Sequence, residues 1–170
     1  RGCVPKKLLV LGSHFADDFE DAQGYGWTVG GAALDWAALI DAKDRELDRL
    51  EAVYHRILSD SGVEEIVGTG VLADAHTVEV EGKHLTAANI LIATGGWPKL
   101  PAVPGIEHAI PSNEALDLKQ FPKRIAIVGG GYIAVGFAGI FNSCGAEVTM
   151  VIRAPQILRG FDEDVRDMLA

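Results

Sequence analysis

Three consecutive glycines between an apolar run and a helical pattern constrain the fold of this chain more than any other feature. The apolar run covers residues 124–128, the glycines occupy 129–131, and Ala134 completes a G-x-G-x-x-A pattern. A helical pattern follows over 132–143, and a second apolar run covers 147–152. Strand, tight turn, helix and strand in this order form a βαβ unit, so the sequence predicts an α/β fold here.

The glycine turn has the context that dinucleotide binding requires. Glycine lets the backbone approach a pyrophosphate closely, and the start of the next helix offers unpaired N–H donors and a positive potential. A turn with a purely structural role is the alternative. About 20 residues past the glycines, where an NAD site usually carries an acidic residue, this chain has Arg153, followed by Arg159. Two guanidinium groups suit a 2′-phosphate and favour NADPH over NADH, against the alternative of two solvated surface arginines.

A cysteine near the start of the chain is the second informative feature. Cys3 is followed by the sequence Val-Pro-Lys-Lys, and from Pro5 to about Asp21 apolar residues recur every three or four positions, which predicts a helix. The positive end of a helix dipole and a nearby lysine charge both favour a thiolate, so Cys3 is predicted to be reactive. A small buried core cysteine is the alternative. Cys144 follows an apolar helix pattern and is predicted to pack at a helix end.

Further elements are predicted between these two features. Residues 23–31 carry four glycines and are predicted to form a loop, and a long amphipathic helix is predicted from Asp35 through Leu58, ending near Gly62. Two kinds of strand are predicted after it: an antiparallel meander of short segments at 65–67, 71–72, 77–80 and 84–85, and an apolar strand covered on both faces at 89–93. Five prolines then interrupt the chain between positions 97 and 122, which indicates a domain boundary.

Composition excludes several classes of partner. A formal net charge of −9 argues against sequence-independent binding to nucleic acid or anionic membranes. Since no apolar run approaches the roughly 18 to 20 residues that span a bilayer, and the start of the chain lacks a signal-peptide pattern, a cytoplasmic protein is predicted. The five histidines show neither metal-ligand spacing nor an acidic partner for a triad, and surface or loop positions are predicted for them.

With these motifs in this order, the chain resembles the pyridine nucleotide-disulfide oxidoreductases, and within them the branch that reduces glutathione disulfide. The resemblance implies FAD and NADPH as cofactors, glutathione disulfide or a similar small disulfide as substrate, and a homodimer in the full-length family. It implies that residues 1–98 belong to an incomplete FAD-binding Rossmann-like domain without its N-terminal βαβ unit. Residues 99–122 would be a linker, and 123–170 would begin the NADPH-binding domain.

The resemblance also assigns roles to individual residues. Cys3 would be the thiolate nearer the flavin, paired with a cysteine five positions upstream, outside this sequence. Lys6 would lie beside the flavin ring, and Tyr132 would cover the flavin until nicotinamide displaces it. Tyr54 would line the disulfide pocket, although it could equally be a core residue whose hydroxyl reaches the surface. The residues assigned to the two cofactors are Lys6, Gly70, Thr94, Gly95, Gly129, Gly130, Gly131, Ile133, Arg153 and Arg159.

The chain departs from the family pattern at one internal position. The family's Tyr-Ile-Ala-Val-Glu reads Tyr-Ile-Ala-Val-Gly at 132–136. In the family this carboxylate pairs with the lysine that matches Lys6, so Gly136 is predicted to leave Lys6 without its partner and to impair hydride transfer.

The first residue is not methionine, and we expect a segment of a longer protein that is inactive by itself, because the dimerisation domain and its relay histidine would lie beyond it. A non-catalytic nucleotide-binding fragment is an alternative. So is a reductase of another disulfide such as trypanothione.

Overall fold

The computed structural model describes residues 2–170. The elements along them are α1 (Cys3–Gly24), α2 (Trp36–Asp60), β1 (Gly70–Leu72), β2 (Thr77–Val80), β3 (Lys83–Thr86), a 3-10 turn (Ile106–His108), α3 (Ser112–Leu116), β4 (Arg124–Val128), α4 (Tyr132–Ser143), β5 (Glu147–Val151) and α5 (Glu163–Leu169). They group into two compact units. The larger unit comprises the chain up to Leu47 together with Leu100–Ala170, and the smaller unit comprises Asp48–Lys99.

The predicted βαβ unit is present in the larger unit. Strands β4 and β5 pair in parallel over their full length, and α4 connects them. The Gly129 amide donates to the Val151 carbonyl at 2.9 Å and so extends the ladder into the glycine turn. Gly145, with φ 97°, ends α4, and the Ala146 amide donates back to the Phe141 carbonyl at 2.9 Å. This C-terminal glycine motif turns the chain sharply from helix into strand.

The core of the larger unit is centred on Trp36. Its ring centroid lies 5.1 Å from that of Phe121 and 5.8 Å from that of Phe141. Its indole Nε1 donates to the Leu118 carbonyl at 2.7 Å, which satisfies the polar end of a buried aromatic side chain. Half-buried Cys144 packs against this core, as predicted. The buried members of the cluster are Leu9, Trp36, Ile40, Ala115, Leu116, Phe137, Ile140, Phe141 and Ala146.

A buried lysine joins α2 to the segment after α3. The Lys43 side chain is 1% exposed, and its Nζ lies against the Asp44 carboxylate and 3.2 Å from Oδ1 of Asp117. The two carboxylates are 43% and 37% exposed. Because an unpaired ammonium is costly to bury, these carboxylates are what allow Lys43 to lie inside the protein.

The smaller unit contains the predicted meander, in which β1, β2 and β3 pair antiparallel in chain order. In the turn between β1 and β2 the Asp74 carboxylate accepts a hydrogen bond from the His76 amide at 2.7 Å, which lowers the pKa of Asp74. Helix α2 ends at the predicted glycine: Gly62 has φ 73°, and the Val63 amide donates to the Leu58 carbonyl at 3.0 Å.

Two predicted strands and one loop boundary were wrong. Residues 65–67 and 89–93 are not in strands, and Leu91 and Ile92 are 89% and 66% exposed. A strand forms only where a neighbouring strand pairs with it, and neither sheet of the described residues includes these segments. Helix α1 extends through Gly24, so the first two residues of the predicted loop at 23–31 are helical. None of the helices along residues 2–170 is long and apolar enough to cross a membrane.

Candidate redox and nucleotide site

The glycine turn after β4 combines a crowded position with an open one. Gly129 has φ 130°, a conformation that side chains rarely adopt. A Cβ added at Gly130 would lie 3.0 Å from Cγ2 of Ile152, so the turn packs tightly against the chain leaving β5. A Cβ added at Gly131 would meet nothing within 4 Å. The turn is therefore packed against Ile152 on one side and open to solvent at the start of α4.

The start of α4 supplies hydrogen-bond donors at this opening. Gly131 is the N-cap of α4 and contributes no side-chain cap, and the first amides of an α-helix have no acceptor within the helix. Tyr132 and Ile133 beside it are 60% and 42% exposed. Free donors, a positive helix end and space for a ligand match the chemistry of a pyrophosphate group.

Two exposed arginines lie in the loop that follows β5. Arg153 and Arg159 both face solvent, as a site for a phosphate monoester requires. Between them the loop is attached to the glycine turn, because the Leu158 amide donates to the Gly130 carbonyl at 2.6 Å. A backbone hydrogen bond therefore connects the turn predicted to bind the pyrophosphate to the loop with the arginines predicted to bind the 2′-phosphate.

Cys3 is the first residue of α1, two positions before the predicted helix start at Pro5. Its thiol is free and the residue is exposed, so the alternative of a buried core cysteine is wrong. At this position the thiol lies at the positive end of a helix of 22 residues. Cys144 is half-buried, and this burial raises the pKa of its thiol.

Lys6 connects α1, the helix that begins at Cys3, to the start of α4 beside the glycine turn. Its Nζ donates to the Tyr132 carbonyl at 3.1 Å and lies 5.8 Å from the centroid of the Tyr132 ring. The side chain crosses α4 directly over Gly136, since a Cβ added there would lie 2.1 Å from Nζ. The sequence drew attention to position 136 but gave no indication of the carbonyl that accepts from Lys6. The hydrogen bond from Lys6 thus joins α1, which begins at Cys3, to the start of α4 in the larger unit.

The remaining predicted site residues lie in the smaller unit. Tyr54 is 60% exposed, so the alternative in which it is a core residue is wrong. Gly70 begins β1 opposite Val80. Thr94 and Gly95 are exposed and lie outside the strands, and Gly95 has φ 71° with nothing within 4 Å of an added Cβ.

A histidine beside Tyr54 has an acidic partner that the sequence did not indicate. Nδ1 of His55 lies 2.8 Å from Oε2 of Glu65, across the end of α2. The hydrogen bond to this carboxylate and its charge raise the pKa of His55. The two residues are ten positions apart with a helix end between them, so no local spacing rule applies to the pair.

The sequence pattern that defines the pyridine nucleotide-disulphide oxidoreductases matches residues 1–170. The chain belongs to this family. The match covers the cysteine helix, the meander and the glycine turn together, as the resemblance in the sequence implied.

Several proteins of the pyridine nucleotide-disulphide oxidoreductase family are similar to the chain. Glutathione reductase of Nostoc sp. is 53% identical over 166 residues, which cover 98% of this chain and 36% of that protein. The chloroplastic/mitochondrial glutathione reductase of Pisum sativum is 52% identical over 96% of this chain and 30% of that protein. Trypanothione reductase of Leishmania donovani is 45% identical over 99% of this chain and 37% of that protein. The chain spans about a third of the length of these relatives.

The fold is also similar to a solved structure. The Cu(II) complex of the HOCl-induced flavoprotein disulfide reductase RclA from Escherichia coli superposes with a TM-score of 0.80 at 28% identity. The similarity covers 99% of this chain and 36% of that protein. The α/β architecture is therefore similar to that of a segment of this flavoprotein disulfide reductase.

Proposed function

We propose that the full-length protein is an NADPH-dependent, FAD-containing disulfide reductase that acts on glutathione disulfide. The observation that carries the proposal is the 3.1 Å hydrogen bond from Lys6 to the Tyr132 carbonyl. It joins the helix that begins at the exposed thiol of Cys3 to the helix that begins at the glycine turn. A helix that carries a redox thiol, joined in this way to a helix that follows a dinucleotide turn, suits electron transfer from a nicotinamide to a disulfide.

NADPH is the electron donor that the larger unit suits best. The amides at the start of α4 would bind its pyrophosphate, and Arg153 and Arg159 would bind its 2′-phosphate through charge-assisted hydrogen bonds. The chain leaving β5 reads Val-Ile-Arg at 151–153, without the acidic residue that would accept hydrogen bonds from an NAD ribose. Tyr132 is exposed beside the glycine turn and would cover the flavin until the nicotinamide displaces it.

FAD would be the second cofactor of the full-length protein, with a flavin ring as its redox group. Lys6 would lie beside the ring, and Gly70, Thr94 and Gly95 would offer exposed backbone to the rest of FAD. When bound, FAD accepts two electrons as a hydride from the nicotinamide and passes them to a disulfide. The chain's own residues would bind and orient the group: Lys6 would place its positive charge beside the ring, and the open position at Gly95 would leave room for a close approach.

Cys3 would form the thiolate nearer the flavin, and a second cysteine upstream would attack the substrate disulfide by thiol exchange. Overall, NADPH and one proton reduce one disulfide to two thiols. Exposed Tyr54 would contact this substrate. Glutathione disulfide is favoured over trypanothione because the glutathione reductases are more similar to the chain, at 52 and 53% identity against 45%. A homodimer is proposed for the full-length protein by the same similarity.

The test is NADPH oxidation by the purified full-length protein with glutathione disulfide or trypanothione disulfide. Turnover with the former, a flavin absorbance band, and loss of turnover in Cys3→Ser are expected. Cys144→Ser is the matched control and is expected to retain activity, because that thiol packs against the core. NADPH binding without a flavin band or turnover would instead identify a nucleotide-binding protein without reductase activity.

A further inference from the structure

The loop that carries Arg153 and Arg159 is attached to the protein at several points between the two arginines. Leu158 is the buried residue of this loop, at 5% exposure, and it has φ 57°, which is unusual for a residue other than glycine. Its amide donates to the Gly130 carbonyl at 2.6 Å. A left-handed conformation at a leucine persists only where the surroundings determine it, so the loop is held in one arrangement.

Helix α5 provides the attachment on the other side of the loop. Nε of Arg166 donates to the Ile157 carbonyl at 3.0 Å, in a partly buried position. The next residue of the helix, Asp167, accepts a hydrogen bond from the Gln156 side chain. The start of α5 is itself fixed, because the Asp162 carboxylate caps it by accepting from the Asp164 and Val165 amides. The 156–158 segment is therefore held between the glycine turn and a capped helix.

We infer that Arg166 is a positioning residue for cofactor discrimination, acting through the 156–158 segment on the adjacent Arg159. This inference rests on the proposed function and deepens it. The exposed arginines have the right charge for a 2′-phosphate, but a phosphate at a fixed distance from the pyrophosphate also requires a fixed loop. Arg166 supplies this by its Nε–H donor, which the Ile157 carbonyl accepts, and the charge of its guanidinium group is not needed for the effect.

Two substitutions separate the donor from the charge. In glutamine the side-chain nitrogen stands at the same number of bonds from Cα as Nε of arginine, so Arg166→Gln keeps a donor for the Ile157 carbonyl without the charge. Arg166→Met keeps a similar stem without the donor. We expect Arg166→Met to raise KM for NADPH about three- to tenfold. We expect kcat, and KM for NADH, to be unchanged. Arg166→Gln is expected to remain within about twofold of the parent protein.

The readouts on the full-length protein are the ratio of kcat/KM for NADPH to that for NADH, and hydrogen exchange of the peptide containing Leu158. Faster exchange in Arg166→Met but not in Arg166→Gln is expected to accompany the lost preference for NADPH. Equal cofactor preference in Arg166→Met and the parent protein would overturn the inference. So would an equal loss in both variants, because the charge would then be responsible.

A second variant guards against a folding defect. Gln156→Ala removes the contact to Asp167 at the surface of the loop and leaves Arg166 in place. It is expected to lower the preference for NADPH in the same direction, and an unchanged preference in a folded Arg166→Met protein or in Gln156→Ala would contradict the inference. Failure of the proposed function would look different: the parent protein would show no turnover with either nicotinamide, while the hydrogen-exchange comparison would still report on the loop.

Discussion

Replacing Gly136 by glutamate is expected to stabilise α4 and to give Lys6 a carboxylate partner. Gly136 lies inside α4, where glycine loses more backbone freedom on folding than any other residue. An added Cβ would lie 2.1 Å from Nζ of Lys6 and 2.3 Å from Cε, so the lysine side chain has to move. These atoms are the far end of a flexible side chain. The ammonium can therefore leave the Tyr132 carbonyl and pair with the new carboxylate.

Two contributions set the expected gain in the free energy of unfolding. Removing glycine from a helix interior contributes about 0.5–1 kcal/mol. An ion pair with a half-buried lysine adds about 0.2–1 kcal/mol, and water replaces the lysine at the exposed Tyr132 carbonyl. A gain near 1 kcal/mol corresponds to a rise in Tm of about 2–4 °C for a chain of this size.

The assay is urea unfolding of three variants beside the parent protein. Gly136→Gln shares the helix contribution without the charge, so the difference between Gly136→Glu and Gly136→Gln isolates the ion pair. This difference is expected to shrink at high salt. Gly139→Ala is the matched control in the same helix, because nothing lies within 4 Å of a Cβ added there. Equal stability of the Glu and Gln variants at low salt would refute the reasoning about Lys6.

The same variants test the predicted effect on hydride transfer. In the full-length protein, Gly136→Glu is expected to accelerate flavin reduction by NADPH about 1.5- to 5-fold relative to Gly136→Gln, the factor that an ion pair of this strength corresponds to. Rapid-mixing absorbance at the flavin band measures the rate. An identical rate in the Glu and Gln variants would show that position 136 does not act on the reaction through Lys6.

Three further predictions follow from side chains described above. Glu65 raises the pKa of His55 above its ordinary 6.5. The stability that this pair contributes is therefore complete below pH 6.5 and declines as pH rises through the pKa of His55 in the folded protein. His55→Gln should remove this decline from the free energy of unfolding measured against pH, and a decline that persists would contradict the pairing. Iodoacetamide should modify exposed Cys3 before Cys144, whose pKa is raised by burial, as mass spectrometry of the digested protein would report; the reverse order would contradict this. Phe141→Ala should cost about 3–5 kcal/mol in urea unfolding, since the ring is 1% exposed, and a loss below about 1 kcal/mol would show that the core refills the space.

The sequence predicted those parts of the fold that local chemistry decides. The glycines at 129–131 and Gly62 marked a turn and a helix end, because positive φ and close approach admit few other residues. Alternating segments similarly predicted the meander. The segments 65–67 and 89–93 were misassigned because a strand depends on a pairing neighbour, which an apolar pattern alone does not supply.

The candidate site was predictable by residue type but not by contact. Cys3, Lys6 and the glycine turn stood out from their spacing, whereas the carbonyl that accepts from Lys6 is 126 positions away in the sequence. The left-handed Leu158 and its contacts gave no signal, because leucine favours neither a turn nor a positive φ. Such features depend on tertiary packing and become visible only in the structure.

The buried Lys43 makes this region unequally tolerant of mutation. Its carboxylate partners reach solvent, so loss of the lysine leaves two aspartates that water can hydrate. Loss of both aspartates would leave an ammonium with neither water nor counter-charge. During evolution, Lys43 can therefore be replaced by an apolar residue first and the aspartates afterwards, whereas the opposite order passes through a strongly destabilised protein. The group of Lys43, Asp44 and Asp117 can therefore be lost by mutation in one order and not in the other.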